Sequence, residues 1–267
     1  MNLARAPWSA LVTLAAAATV LAGCREKKEQ EAPAGAVVFQ ISARHPAAAD
    51  TASSLAINDT MLVRGRDTLF LRVARIVLAE LAMAPALSNE CEEEEGEDNP
   101  PCVEFDEQPV VIELPLGGGV TRRSTKPAPA TDYNLFQAII HRPDSVSAHD
   151  VQLLLHHPEL WASSIRVEGA ISRGGRRRAF TFNSDFNETQ EISLEPALTV
   201  KPGDSLHITL RVDVASWFRS EDGRFFVDPA TAGLAGRNES LVRGNIRTSL
   251  KVFRDANADG LEDGASQ

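Results

Sequence analysis

Nine residues near the carboxyl end, Asp255-Ala256-Asn257-Ala258-Asp259-Gly260-Leu261-Glu262-Asp263, carry the sharpest chemical signal in the chain. Carboxyl and amide side chains alternate at 255, 257 and 259, and Gly260 permits the sharp turn that would aim such oxygens at one point. Oxygen-only ligands suit a hard divalent cation: Ca2+ takes about six to eight of them at about 2.3–2.6 Å. The competing reading is a frayed acidic tail, because chain termini are commonly disordered.

His149, His156 and His157, with His141 from another segment, invite a copper or zinc reading. If residues 147–157 are helical, His149 and His156 share a face but stand roughly 10 Å apart along the axis, too far for one metal. Surface or capping histidines are the plainer reading, and transition-metal handling is kept as an alternative function. A carboxylate pair such as Asp213 and Asp228 would do hydrolytic chemistry only if folding brought the two together. The chain has no Gly-x-Ser-x-Gly, no His-Glu-x-x-His, no Gly-x-x-x-x-Gly-Lys and no dinucleotide fingerprint, and Gly117-Gly118-Gly119 lacks the lysine and helix start of a phosphate cradle. A non-enzymatic role is expected, with a hydrolase of unrecognised site as the remaining alternative.

The amino end gives an address. Arg5 precedes an apolar stretch from Trp8 to Ala22, long enough for a signal-peptide core and short for a membrane span. It runs into Leu21-Ala22-Gly23-Cys24, which resembles the lipobox of bacterial lipoproteins. That resemblance implies cleavage before Cys24, a diacylglycerol thioether on its sulfur and a further acyl chain such as palmitate on the new amino group. Each buried methylene contributes about 0.8 kcal/mol, so several acyl chains on one residue hold a protein to a bilayer durably. Arg25 stands where inner-membrane retention is associated with aspartate, so in a Gram-negative host the likeness implies the outer membrane. Residues 1–23 are thus read as a leader and 24–35, charged and then rich in Pro and Gly, as a flexible tether.

The carboxyl-terminal segment is similar to EF-hand, dockerin and thrombospondin-type calcium loops. By that likeness Asp255, Asn257 and Asp259 supply side-chain oxygens, Leu261 its carbonyl, and Asp263 a carboxylate directly or through water. The twelfth position of an EF-hand loop, a glutamate there, is Ser266 here, and no exiting helix follows, so the shorter repeat-like form is the better comparison. It implies an affinity of about 10⁻⁴ to 10⁻³ M.

With Cys24 assigned to lipid, Cys91 and Cys102 remain as an even pair in a compartment that permits disulfides, and a bond between them is expected. Ten acidic residues and no basic one fall between Glu90 and Glu107, a charge equal to the chain's whole net charge of −10. Like charges repel, so this insert is expected as a solvated loop, with weak binding of a cation or a basic partner as the alternative. Arg173 and Arg176 to Arg178, around Gly174-Gly175, read as a basic hairpin tip that is either a solvated turn or a dock for anionic lipid or the acidic loop. The net charge argues against general nucleic-acid binding.

The elements that must position these residues read as strands. Ala36–Ser42, Thr68–Met83, Pro109–Leu114, Tyr133–His141, Ile165–Ile171, Ala179–Phe182, Glu191–Leu194 and Leu206–Val214 are apolar or alternating runs separated by Gly, Pro, Asn or Asp. Lys201-Pro202-Gly203-Asp204 predicts a turn. Helices are expected over Ser147–His157, broken by Pro158, and over about Glu239–Phe253, where Val242, Ile246, Leu250 and Phe253 make an amphipathic stripe. Trp217-Phe218 and Phe225-Phe226 straddle an Asp222-Gly223 turn and should enter the core, a sugar-stacking platform being the runner-up.

The expected class is mainly β: an antiparallel sandwich over 36–235, with one or two short helices and the acidic insert 90–107, then a carboxyl-terminal helix and calcium-type loop over 236–267. In layout, residues 36–215 resemble uncharacterised bacterial lipoprotein domains of transthyretin-like sandwich type, a likeness that implies no activity. The function expected is a lipid-anchored, calcium-binding module of the cell envelope with an unknown protein or glycan partner.

Overall fold

The computed structural model describes residues 34–43, 60–86, 91 and 102–264. The leader, Cys24, most of the tether and the acidic run between the two cysteines lie outside them. The strands in chain order are β1 (Ala34–Ser42), β2 (Thr60–Arg64), β3 (Asp67–Pro85), β4 (Val103–Asp106), β5 (Val110–Glu113), β6 (Val120–Pro129), β7 (Asp132–Ile140), β8 (Ile165–Arg173), β9 (Arg176–Ser184), β10 (Glu188–Thr199), β11 (Ser205–Val212) and β12 (Leu250–Arg254). Three short helices interrupt them: α1 (Ala148–His156), α2 (Val214–Trp217) and α3 (Glu239–Arg247).

The chain is mainly β, in two sheets. One is four-stranded, in the order β12-β11-β1-β6. Its β1 and β11 run parallel, from Ala36 beside Ser205 to Ser42 beside Arg211, and its other pairs are antiparallel. The expected β-sandwich is thus formed, with this one parallel pair in the four-stranded sheet. The second sheet is built on the 19-residue β3. Along one edge β3 pairs first with β8 and then with β7; along the other it pairs with β2, β5 and β4 in turn. Strands β9 and β10 lie outside β8 and β7.

A long strand serving so many partners cannot stay regular, and β3 carries bulges at Arg72 and around Glu80, which sits at φ 50°. Between the sheets the core fills with alternate residues: Val37, Phe39 and Ile41 from β1, Ile208 and Leu210 from β11, and Leu69, Leu71, Ile76 and Met83 from β3, all buried. Phe39 stacks on Phe105 at 4.8 Å and on Phe136 at 5.6 Å, joining the sheets. Each such ring contributes about 1.5–3 kcal/mol by leaving water. Trp217 and Phe218 enter the core as expected, and so does Phe226, but Phe225 stays 47% exposed.

Helix α1 starts where the sequence placed it. The Ser147 hydroxyl accepts from the Asp150 amide as its cap, and Leu154 with Leu160 covers Val77 on the outer face of β3. Helix α3 is shorter than the stripe predicted. Val242 and Ile246 are buried on it, but the helix ends at Arg247, and Leu250 and Phe253 belong to β12. The indole of Trp217 donates to the Ser249 hydroxyl at 2.7 Å just where the chain leaves the helix, and residues 250–254 then pair with Val212 to Ile208 of β11. The segment 236–264 is consequently part of the sandwich rather than an appendage. Two further boundaries move. Ala34 and Gly35, expected in the tether, open β1, and Val103 and Phe105, expected in the acidic insert, are buried core residues of β4.

Candidate functional site

Strand β12 delivers the carboxyl-terminal loop onto the outer face of the four-stranded sheet. On β1 and β11 the inward positions are apolar, so Ser42 and Thr209 face outward beneath the loop. Asp255 is fully buried there. Its carboxylate accepts the Thr209 hydroxyl at 2.7 Å and the amides of Gly260 at 2.9 Å and Asp259 at 3.0 Å, while its own amide donates to the His207 carbonyl. Ala258 and Gly260 both take left-handed backbone, with φ 56° and 81°, and this double turn folds the loop back on itself. A Cβ on Gly260 would stand 2.6 Å from the Ser42 hydroxyl, so only glycine lets the loop lie this close.

The structure brings three of the five expected ligands together. The Asp259 amide is shared by Oδ1 of Asp255 and Oδ1 of Asn257, the latter at 3.3 Å, and the Asn257 side-chain amide donates to Asp259 Oδ2 at 3.1 Å. Leu261 enters through its amide, which donates to Asp259 Oδ1 at 2.7 Å. Asp263 is engaged elsewhere, by the Ala256 amide at 3.1 Å and the Arg254 guanidinium at 3.6 Å. The donor set is all oxygen and so suits a hard cation, yet most of these oxygens already hold the loop's own N–H groups. Among the described residues no three Asp, Glu, His or Cys side chains gather into a cation cage. Beside the loop, Arg211 lies 5.1 Å from the centre of the Phe253 ring. Burial there moves its guanidinium below the ordinary value, against the opposing pull of Asp213 and Glu262.

Thr209 is the residue of this candidate site that the sequence reading lacks. Its signal was available: it is a polar residue between Ile208 and Leu210 in a strand whose alternate positions are core.

The remaining candidates separate. Nε2 of His141 meets both oxygens of the buried Asp150 at 3.0 Å, Nδ1 of His156 meets the Gln152 carbonyl, and His157 faces Glu159. His149 is exposed. Each of these contacts is local, and they do not converge. Asp213 caps α2 through the Ser216 amide, and Asp228 accepts the Ala230 amide and pairs with Arg178, so each carboxylate has its own helical turn to serve. Cys91 and Cys102 are joined by a disulfide. The hairpin Arg173 to Arg178 is a tight β8–β9 turn. Within it Arg173 forks onto Asp67 at 2.7 and 3.0 Å, and that hydrogen-bonded pairing holds its guanidinium above the ordinary value.

No helix among the described residues is long and apolar enough to cross a membrane. Comparison with known protein families, with curated proteins and with solved structures finds no match to this chain.

Proposed function

We propose that this chain is a lipid-anchored, non-enzymatic binding or structural module of the bacterial cell envelope, tied to a bilayer through acylated Cys24 and holding Ca2+ weakly at the loop 255–263. One observation carries the calcium reading: Asp255 and Asn257 both fold onto the Asp259 amide, over a buried Asp255, so the loop is not a trailing tail. Bound there, a divalent cation would supply positive charge to carboxylates that otherwise rest on peptide N–H groups. The address rests on Leu21-Ala22-Gly23-Cys24.

Two measurements test the reading. Mass spectrometry of the amino-terminal peptide from detergent-purified protein should show Cys24 carrying acyl chains, and an unmodified Cys24 refutes the anchor. Calcium at 10 mM should stabilise the fold by about 1.4–2.7 kcal/mol, given the affinity range of such loops. An Asp259→Ala variant should lose that gain. Equal stability of the wild-type protein in calcium and in chelator refutes the cation site.

A further inference from the structure

Three triplets in the chain have the form Asn-x-Ser/Thr with no proline between: Asn58-Asp59-Thr60, Asn187-Glu188-Thr189 and Asn238-Glu239-Ser240. That pattern is the acceptor signal for attaching a glycan to an asparagine amide in exported proteins. A triplet alone is a weak signal, and Asn58 lies outside the described residues. The fold separates the other two.

Asn187 stands in the link 185–187 between β9 and β10. Its direction is set by its neighbour. Phe186 is fully buried and its amide is held by the Ser184 hydroxyl at 3.3 Å, so the next side chain points outward, and Asn187 is exposed. Its carbonyl oxygen accepts the Arg142 amide at 3.0 Å, which leaves Nδ2 without a hydrogen bond among the described residues. Thr189, at the start of β10, is exposed as well, and alternation along the extended chain puts its hydroxyl on the same side as Asn187. Asn238 is the opposite case. It stands at the start of α3, where its Nδ2 donates to the Thr231 hydroxyl at 2.8 Å and its amide to the Thr231 carbonyl at 3.0 Å. A sugar on that nitrogen would crowd the contact that ties the helix start to the turn at Thr231. The sequence draws the same line. Asp185 lies two residues ahead of Asn187, whereas Gly236 and Ala56 hold that place ahead of Asn238 and Asn58. Bacterial transferases of this kind recognise an acidic side chain there in addition to the triplet, by pairing it with a basic side chain of their own.

We propose that Asn187 is an acceptor site for an N-linked glycan. In the transfer, Nδ2 attacks the anomeric carbon of an oligosaccharide carried on a polyprenyl pyrophosphate. The new C–N bond forms as the bond from that carbon to the pyrophosphate oxygen breaks, the lipid pyrophosphate leaves, and one Nδ2 proton passes to a carboxylate of the transferase. This chain supplies the amide, the Thr189 hydroxyl that the transferase binds, and Asp185. The Asp185 carboxylate is held by Arg142 at 3.8 Å and by Arg243, neither of them a buried side chain, so an opening confined to this link releases it. The product suits the fold, because the first sugar extends from an exposed link and no buried group has to move. The choice of a bacterial transferase rests on the address proposed above.

The test expresses the whole chain in bacterial cells that carry an oligosaccharyltransferase and its lipid-linked oligosaccharide, once with residues 1–23 as they stand and once with a proven secretion leader in their place, and maps glycopeptides by mass spectrometry. Asn187 should carry the glycan, and Asn58 and Asn238 should not. Asn187→Gln, Thr189→Ala and Asp185→Ala should each lose the modification; Thr189 is exposed, so its variant decides the matter if either of the others fails to fold. A bare Asn187 in the chain with the secretion leader, a glycan that persists in Thr189→Ala, or equal occupancy of Asn238 would each overturn the proposal. Modification seen only with the substituted leader supports the site and counts against the address proposed above, whereas an Asn187 left bare behind both leaders overturns the site whatever Cys24 carries.

Discussion

Replacing Asp255 by alanine perturbs a carboxylate that is fully buried beneath the carboxyl-terminal loop. Two buried donors lose their acceptor, the Thr209 hydroxyl and the Gly260 amide, while the half-buried Asp259 amide keeps its contact with Asn257 Oδ1 at 3.3 Å. An unsatisfied buried donor costs about 1–3 kcal/mol, so the two inaccessible groups alone set the loss at about 2–6 kcal/mol. That is a large share of the roughly 5–15 kcal/mol that holds a domain together. Equilibrium unfolding in urea, followed by tryptophan fluorescence and run in chelator, isolates this internal role from any effect of calcium. Thr209→Val removes one donor and leaves the carboxylate its two amides, so it should lose only about 1–2 kcal/mol. A loss below 1 kcal/mol for Asp255→Ala would mean that the loop is not pinned by this carboxylate, and the argument for a preformed turn at 255–260 would fall with it.

Tyr133 is the single tyrosine in the chain, and burial pushes its hydroxyl up to about 12. A raised value means that the neutral hydroxyl stabilises the fold fully below the ordinary value of 10.0 and that this stability is lost as the pH climbs toward 12. Absorbance at 295 nm should therefore show no phenolate until well above pH 10.0, and a midpoint at the ordinary value would contradict the burial. Reducing the Cys91–Cys102 bond, which closes a loop with a sequence separation of 11, should lower unfolding stability by about 3 kcal/mol on the chain-entropy model; an unchanged urea midpoint refutes it. Hydrogen bonds from Arg166 and then Arg72 hold the Glu168 carboxyl below its ordinary 4.5, outweighing burial. The stability it contributes is present above pH 4.5 and drains away as the pH falls through the lower folded value, so Glu168→Gln should flatten the acid limb of a stability–pH curve, and an unaltered limb counts against the pairing.

How far the sequence reveals this molecule depends on whether the deciding interaction is local. Strands β1, β7, β8 and β11 are legible because one face of each meets the core and the alternation records it. Strand β6 is not. It lies at the edge of its sheet, its run Val-Thr-Arg-Arg-Ser-Thr-Lys has no apolar alternation, and its two prolines are tolerated there because an edge strand has amides to spare. The stripe Val242, Ile246, Leu250 and Phe253 satisfies a helix locally, but Leu250 onward can pair with a strand nearly forty residues earlier, and cross-strand bonding to β11 decides against the helix. The parallel union of β1 with β11 has no local trace at all, since strand direction is set by the path of everything between them. The site divides in the same way. Alternating oxygens and Gly260 announce a tight turn, and two of the donors to Asp255 are that turn's own amides, whereas the third, the Thr209 hydroxyl, lies on a different strand. The burial of the acid therefore rests partly on a partner that its own charge-rich neighbourhood in the sequence does not reveal. Gly169 follows this rule too: a Cβ there would stand 2.0 Å from the Phe70 carbonyl oxygen, a constraint that exists only once β3 and β8 lie side by side.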